Sequence, residues 1–129
     1  MTLLNAADML AELLDIEDIY AGNLDENKEK AIGVFLLKEQ QKRLCLGGKS
    51  QTGFFYKDLS IIVHWTDNPT AAEQKANEIF EILSDVRNIQ SGEYTVKFTQ
   101  TRLPFYIGKD EKGVCEYAIE TTLIYQRKD

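Results

Sequence analysis

His64 is the only histidine in this chain, and Cys45 and Cys115 are the only cysteines. Metal sites of the common kinds take two or more His or Cys side chains at short spacing. Here the cysteines lie far apart, with no CxxC pair and no Cys/His cluster, so neither a metal site nor a cofactor is expected. A nucleophilic pair of His64 with Cys45 or Cys115 needs the thiol beside the imidazole and a third group to orient the base. His64 and Cys115 both fall in strand-like stretches, yet no third group suggests itself. The ordinary readings are a hydrogen-bonded structural histidine and two small apolar core thiols, with a disulfide the alternative in an oxidising setting.

Carboxylates and glycines offer little more. Glu116 and Glu120 share a side of one strand-like stretch, and four residues at strand rise separate their Cα atoms by roughly 13–14 Å. Paired acids for glycoside chemistry stand roughly 5–9.5 Å apart, so these two face solvent instead. Gly48-Lys49-Ser50 has the close of a phosphate loop, but the position of its opening glycine is Arg43, and a strand follows where a helix is required. No catalytic residue emerges, and the protein is read as a non-enzyme.

The elements that position these residues follow from periodicity. Leu3, Ala7, Leu10 and Leu14, widened by Ala6 and Leu13, recur at helical spacing from Thr2 to about Asp15, with Asp8, Glu12 and Asp15 opposite. That stripe serves the chain's own core or a partner's groove. Ile16–Tyr20 extends as a short strand, and 23–30 reads as a loop. Ala31–Lys38 is a strand apolar on both sides, which suggests a central place in a sheet. Leu44–Leu46 is a possible further strand, followed by a flexible loop over 47–53. Phe54–Trp65 is a long alternating strand.

Thr70-Ala71-Ala72-Glu73 matches a capping box, and Ala72, Ala76, Ile79, Phe80, Leu83 and Val86 then predict a helix of roughly eighteen residues lying on a sheet. Tyr94, Val96 and Phe98 alternate with Thr95, Lys97 and Thr99, which assigns Tyr94 and Phe98 to the core together with Tyr117. Pro104 argues for an edge or a bulge before Phe105-Tyr106-Ile107. A turn over 108–113 leads into a last strand, Val114–Gln126, with Tyr117, Ile119, Thr121, Leu123 and Tyr125 on one side. The order α-β-β-β-α-β-β predicts an α+β fold, a mostly antiparallel sheet with two helices packed on one face, as one domain over residues 1–129.

Composition bounds the partners. The chain has 129 residues, 43% hydrophobic, with 15 Lys+Arg against 21 Asp+Glu. Seven of the acids and no base lie in residues 1–27, so the net charge of −6 belongs to the first fifth of the chain and the remainder is nearly neutral. An acidic chain without a basic stripe is a poor ligand for nucleic acid. The longest apolar run, Ala31–Leu37, is far short of the roughly twenty residues that cross a membrane. No basic segment followed by an apolar stretch opens the chain, so synthesis in the cytosol is expected.

The segments Tyr56-Lys57-Asp58-Leu59-Ser60-Ile61-Ile62-Val63 and Asn68-Pro69-Thr70-Ala71-Ala72-Glu73, a helix closing near Asp85-Val86, and Leu103-Pro104-Phe105-Tyr106-Ile107-Gly108-Lys109-Asp110-Glu111-Lys112-Gly113 before a strand with Tyr117 resemble minor capsid proteins of tailed phages, encoded in the head-to-tail gene block. The resemblance covers about residues 28–127. Size and element order are similar to tail terminator (tail completion) proteins of long-tailed phages. That resemblance implies a ring of six copies that ends tail-tube polymerisation and meets the head-completion protein, in the virion tail or neck after assembly in the host cytoplasm. It supplies no catalytic residues. A head-completion or minor capsid protein is the alternative, followed by a small host ligand-binding protein resting on Cys115 and His64.

A ring needs a heterologous contact between two different patches of each subunit. Asp8, Glu12 and Asp15 against Lys38, Lys42, Arg43 and Lys49 of a neighbour form one candidate pair; the bland alternative is a solvated acidic face. Phe54 and Phe55, at a loop–strand junction, are equally open as interface anchors or as core.

Overall fold

A computed structural model describes residues 1–25, 27–37 and 53–127. Thr2 caps the first helix, α1 (Leu3–Leu14): its hydroxyl accepts from the Asn5 amide at 3.1 Å, and the Asn5 side chain accepts from the Thr2 amide at 2.9 Å. This reciprocal cap uses Asn where Glu or Gln is usual. Ala6, Ala7, Met9, Leu10 and Leu14 are buried, while Asp8, Glu12 and Asp15 are exposed. The stripe therefore faces the chain's own core.

Strands β1 (Ile19–Ala21) and β2 (Lys30–Leu36) come next, then β3 (Phe55–Trp65). β1 runs parallel to β2, and every other pairing is antiparallel. A parallel neighbour obliges the connection to travel back along the sheet. It does so over Gly33, where an added Cβ would lie 2.9 Å from the Asn23 carbonyl oxygen. Only a residue without a side chain fits beneath that crossing. β2 is covered on both sides, as its two-sided apolarity predicts. The possible strand Leu44–Leu46 and most of the 47–53 loop lie outside the described residues.

Helix α2 (Pro69–Ser84) starts earlier than the Thr70–Glu73 box implies. Asn68 is the cap, its Oδ1 accepting from the amides of Thr70 at 3.0 Å and Ala71 at 3.3 Å. Pro69 occupies the first helical position, where its fixed φ suits the helix and its missing N–H is not needed. Ala72, Ala76, Ile79 and Leu83 are buried as the stripe requires.

Strands β4 (Ile89–Ser91), β5 (Tyr94–Thr101), β6 (Phe105–Lys109) and β7 (Cys115–Arg127) complete the fold. The sheet order is β1-β2-β3-β7-β5-β4, with β6 pairing β7 beyond the end of β5. β5 and β6 thus share one side of β7, separated by the Leu103-Pro104 break. β4 was not expected: it is three residues long, too short to show a period, and returns into β5 through Gly92 at φ 59°.

Register shows where the two faces lie. Ile32 and Val34 of β2, Leu59, Ile61 and Val63 of β3, and Ile119 and Leu123 of β7 join the buried residues of both helices in one apolar cluster. Two helices on one face of a mostly antiparallel sheet make an α+β fold. A bulge between Val96 and Phe98 alters the expected alternation on β5. Val96 and Thr99 face the helices, whereas Phe98 pairs with Ile124 on the opposite face and is partly exposed. The extra residue flips everything after it, so Phe98 is not core.

Candidate assembly surface

The residues that suggested chemistry do not converge. His64 pairs with Glu116 across β3 and β7, which puts His64 on the face away from the helices. Cys115, one residue before Glu116, points to the helix side by strand alternation. The thiol and the imidazole are on opposite faces, and Cys115 is a buried free thiol. Cys45 lies outside the described residues. Glu120 is half-buried and sits 3.6 Å from Arg102. Among the described residues no group of three His, Cys, Asp or Glu side chains is placed to hold a metal.

His64 is wholly buried and has a partner that the sequence did not single out. Its Nε2 lies 2.8 Å from Asp110 Oδ2. A carboxylate only accepts, so Nε2 carries the hydrogen and donates it. Asp110 Oδ1 accepts from the amides of Lys112 and Val114, each at 2.9 Å. The imidazole, then the Val114 amide, hold the Asp110 carboxyl below its ordinary pKa. One side chain thus closes the β6–β7 turn and fastens it to β3. His64 Nδ1 has no hydrogen-bond partner among the described residues. The signal available in the sequence was a polar side chain on an apolar strand, which when buried requires a partner.

The helix-free face of the sheet carries apolar rows. Tyr56, Ile124 and Phe98 stand side by side on β3, β7 and β5, and Ile62, Ala118 and Phe105 form a second row nearer the turn. Asp58 and Thr122 lie between them, joined by a hydrogen bond of 2.5 Å. The apolar exposure peaks at β6. Leu103 is 72% exposed, Phe105 and Tyr106 51% and Ile107 50%. Tyr106 leans on Tyr117 at 5.3 Å between ring centroids, on the helix side. β6 is therefore partly exposed on both of its faces. Large exposed apolar patches of this kind mark interaction surfaces.

The sequence-based interface residues divide three ways. Asp8, Glu12 and Asp15 stand exposed, as a docking face or a solvated one requires. Lys38, Lys42, Arg43 and Lys49 lie outside the described residues. Phe54 is half-buried, and Phe55 is 42% exposed while stacking on Tyr125 at 5.6 Å. The exposed β6 run lies where Pro104 argues for an edge or a bulge; the sequence leaves open how far Phe105, Tyr106 and Ile107 stand out of the sheet.

A family model described as bacteriophage tail terminator protein matches residues 9–127. The chain belongs to the bacteriophage tail terminator family. The match begins inside α1 and ends on the last residue of β7, so this tail terminator family member carries its family likeness in every strand. It is accordingly a structural component of the phage tail. No curated protein sequence matches the chain. One solved structure is similar over 98% of this chain and 89% of its own, at 12% identity and a TM-score of 0.47. Among the described residues no helix is long and apolar enough to cross a membrane.

Proposed function

We propose that this protein ends phage tail growth without catalysis. Copies join head-to-tail into a ring, six in number as the family resemblance implies, on the last ring of tail-tube subunits. The ring blocks further addition and offers its far side to the head-completion protein. Assembly takes place in the host cytoplasm and the finished ring stays in the virion. The family match across residues 9–127 carries this reading. The exposed acids Asp8, Glu12 and Asp15 contribute one side of the subunit contact and Lys38, Lys42, Arg43 and Lys49 of the neighbour the other, setting register more than affinity.

Native mass spectrometry of the full chain, with and without assembled tail tubes, tests the proposal. A ring that forms or persists on tubes supports it, and a chain that stays monomeric and ignores tubes overturns it. Deleting the gene separates the related roles. Free heads with overlong tails support termination, whereas heads that lose their DNA point to head completion.

A further inference from the structure

β6, which pairs β7 off the main sheet path, and β1, which ends that path on the other side of β7, are strands of opposite character. β6 presents an unalternated apolar run, about half exposed on both strand faces, and no described segment pairs with it on the side away from β7. Arg102, 83% exposed, precedes this run and the exposed Lys109 closes it. β1 closes the other side, with Ile19, Tyr20 and Ala21 half-buried and the exposed Glu17 and partly exposed Asp18 just before it. No base occurs before Lys28. An unpaired apolar edge strand is a template for strand addition, and natural chains shield such edges unless they use them. Whatever covers β6 must bring extended backbone, apolar side chains and negative charge. β1 offers all three.

We propose that β6 of one copy adds to β1 of a second copy, which continues the sheet across the subunit boundary, with Arg102 and Lys109 drawn to Glu17 and Asp18. The inference rests on the ring reading above and adds a strand-to-strand contact beside the charge contact proposed for α1. Because β6 and β1 lie on opposite sides of one sheet, the contact is heterologous, and each copy keeps one free edge of each kind. Repetition therefore continues until a ring closes.

Sedimentation and native mass spectrometry of the full chain at low salt, alone and on tail tubes, provide the readout, with thermal melts to verify folding. Arg102→Glu with Lys109→Glu, and separately Glu17→Lys with Asp18→Lys, should each weaken self-association at least about tenfold through like-charge contact. All four substitutions in one chain should restore it. Ile107→Lys tests the apolar component and should weaken association without rescue by the charge swaps. A ring indifferent to these variants overturns the edge contact and leaves the ring reading intact. Reversals that disrupt singly but fail to restore one another overturn the pairing of β6 with β1. Loss of tube binding with an unchanged ring assigns β6 to the tube protein instead. A wild-type chain monomeric both in solution and on tubes overturns the contact and the ring together.

Discussion

Asp110 accepts three hydrogen bonds on two oxygens and spends all of them on fixing one turn. Its carboxyl is held below the ordinary value of 3.8, so the ionised form is favoured by folding. The sign follows from linkage: this contribution is complete above pH 3.8 and is lost as the pH falls through the lower folded-state value. Asp110→Asn should therefore lower the melting temperature at neutral pH and flatten its decline in acid. Parallel acid limbs for variant and parent would refute this. Gly33 makes a second residue-scale case. Gly33→Ala should cost roughly 1–3 kcal/mol, because Phe35 can swing away but the Asn23 carbonyl belongs to a backbone crossing that must move. Urea unfolding reads it directly, and an unchanged midpoint would place the crossing elsewhere. Neither residue was legible beforehand. Asp110 lies 46 positions from His64 and reads as one more polar turn residue. Gly33 reads as a small member of an apolar strand until β1 is known to be parallel.

Elements were legible in proportion to how many periods they contain. α2 carries four buried residues at helical spacing and β7 runs for thirteen residues, and each lies within about a residue or two of the expected span. The start of α2 was misplaced because Thr70-Ala71-Ala72-Glu73 satisfies a capping pattern that the adjacent Asn68-Pro69 satisfies better. The consequence is measurable. Asn68→Ala should destabilise by about 1 kcal/mol, while Thr70→Ala should stay within about 0.5 kcal/mol. Equal losses from the two variants would return the cap to Thr70. The bulge on β5 hides for a different reason: Tyr94, Val96 and Phe98 alternate faultlessly, and nothing in residue type marks the inserted position. Its result is structural, since Thr99, turned inward, donates to the Leu83 carbonyl at 2.6 Å and ties the end of α2 to the sheet. Thr99→Val should cost about 1 kcal/mol in a chemical melt, and a neutral result would mean that this tie carries no net stability.

At the scale of the whole molecule, five of the seven acids in residues 1–27 lie on the outer side of α1 and its C-cap (Asp8, Glu12, Asp15) or on the approach to β1 (Glu17, Asp18). If those charges set subunit register, raising salt should weaken any oligomer, and Lys42→Glu with Arg43→Glu should abolish it. Light scattering across a salt series decides the matter, and an oligomer indifferent to both treatments removes the charge contact. The α+β class followed from element order alone. Pro104 marked the edge at β6, but the extent of its exposed apolar side chains was not legible, because exposure is a property of the assembled sheet. The sheet itself has one further consequence. β7 joins β3 on one side to β5 and β6 on the other, yet it is the last strand in chain order. A ribosome that has not yet delivered residues 115–127 holds two sheet fragments with nothing between them, since loop closure across such separations precedes any reward from contact. Completion of the sheet therefore waits for β7, and until then the unpaired edges of β3 and β5 are what a nascent-chain chaperone would meet.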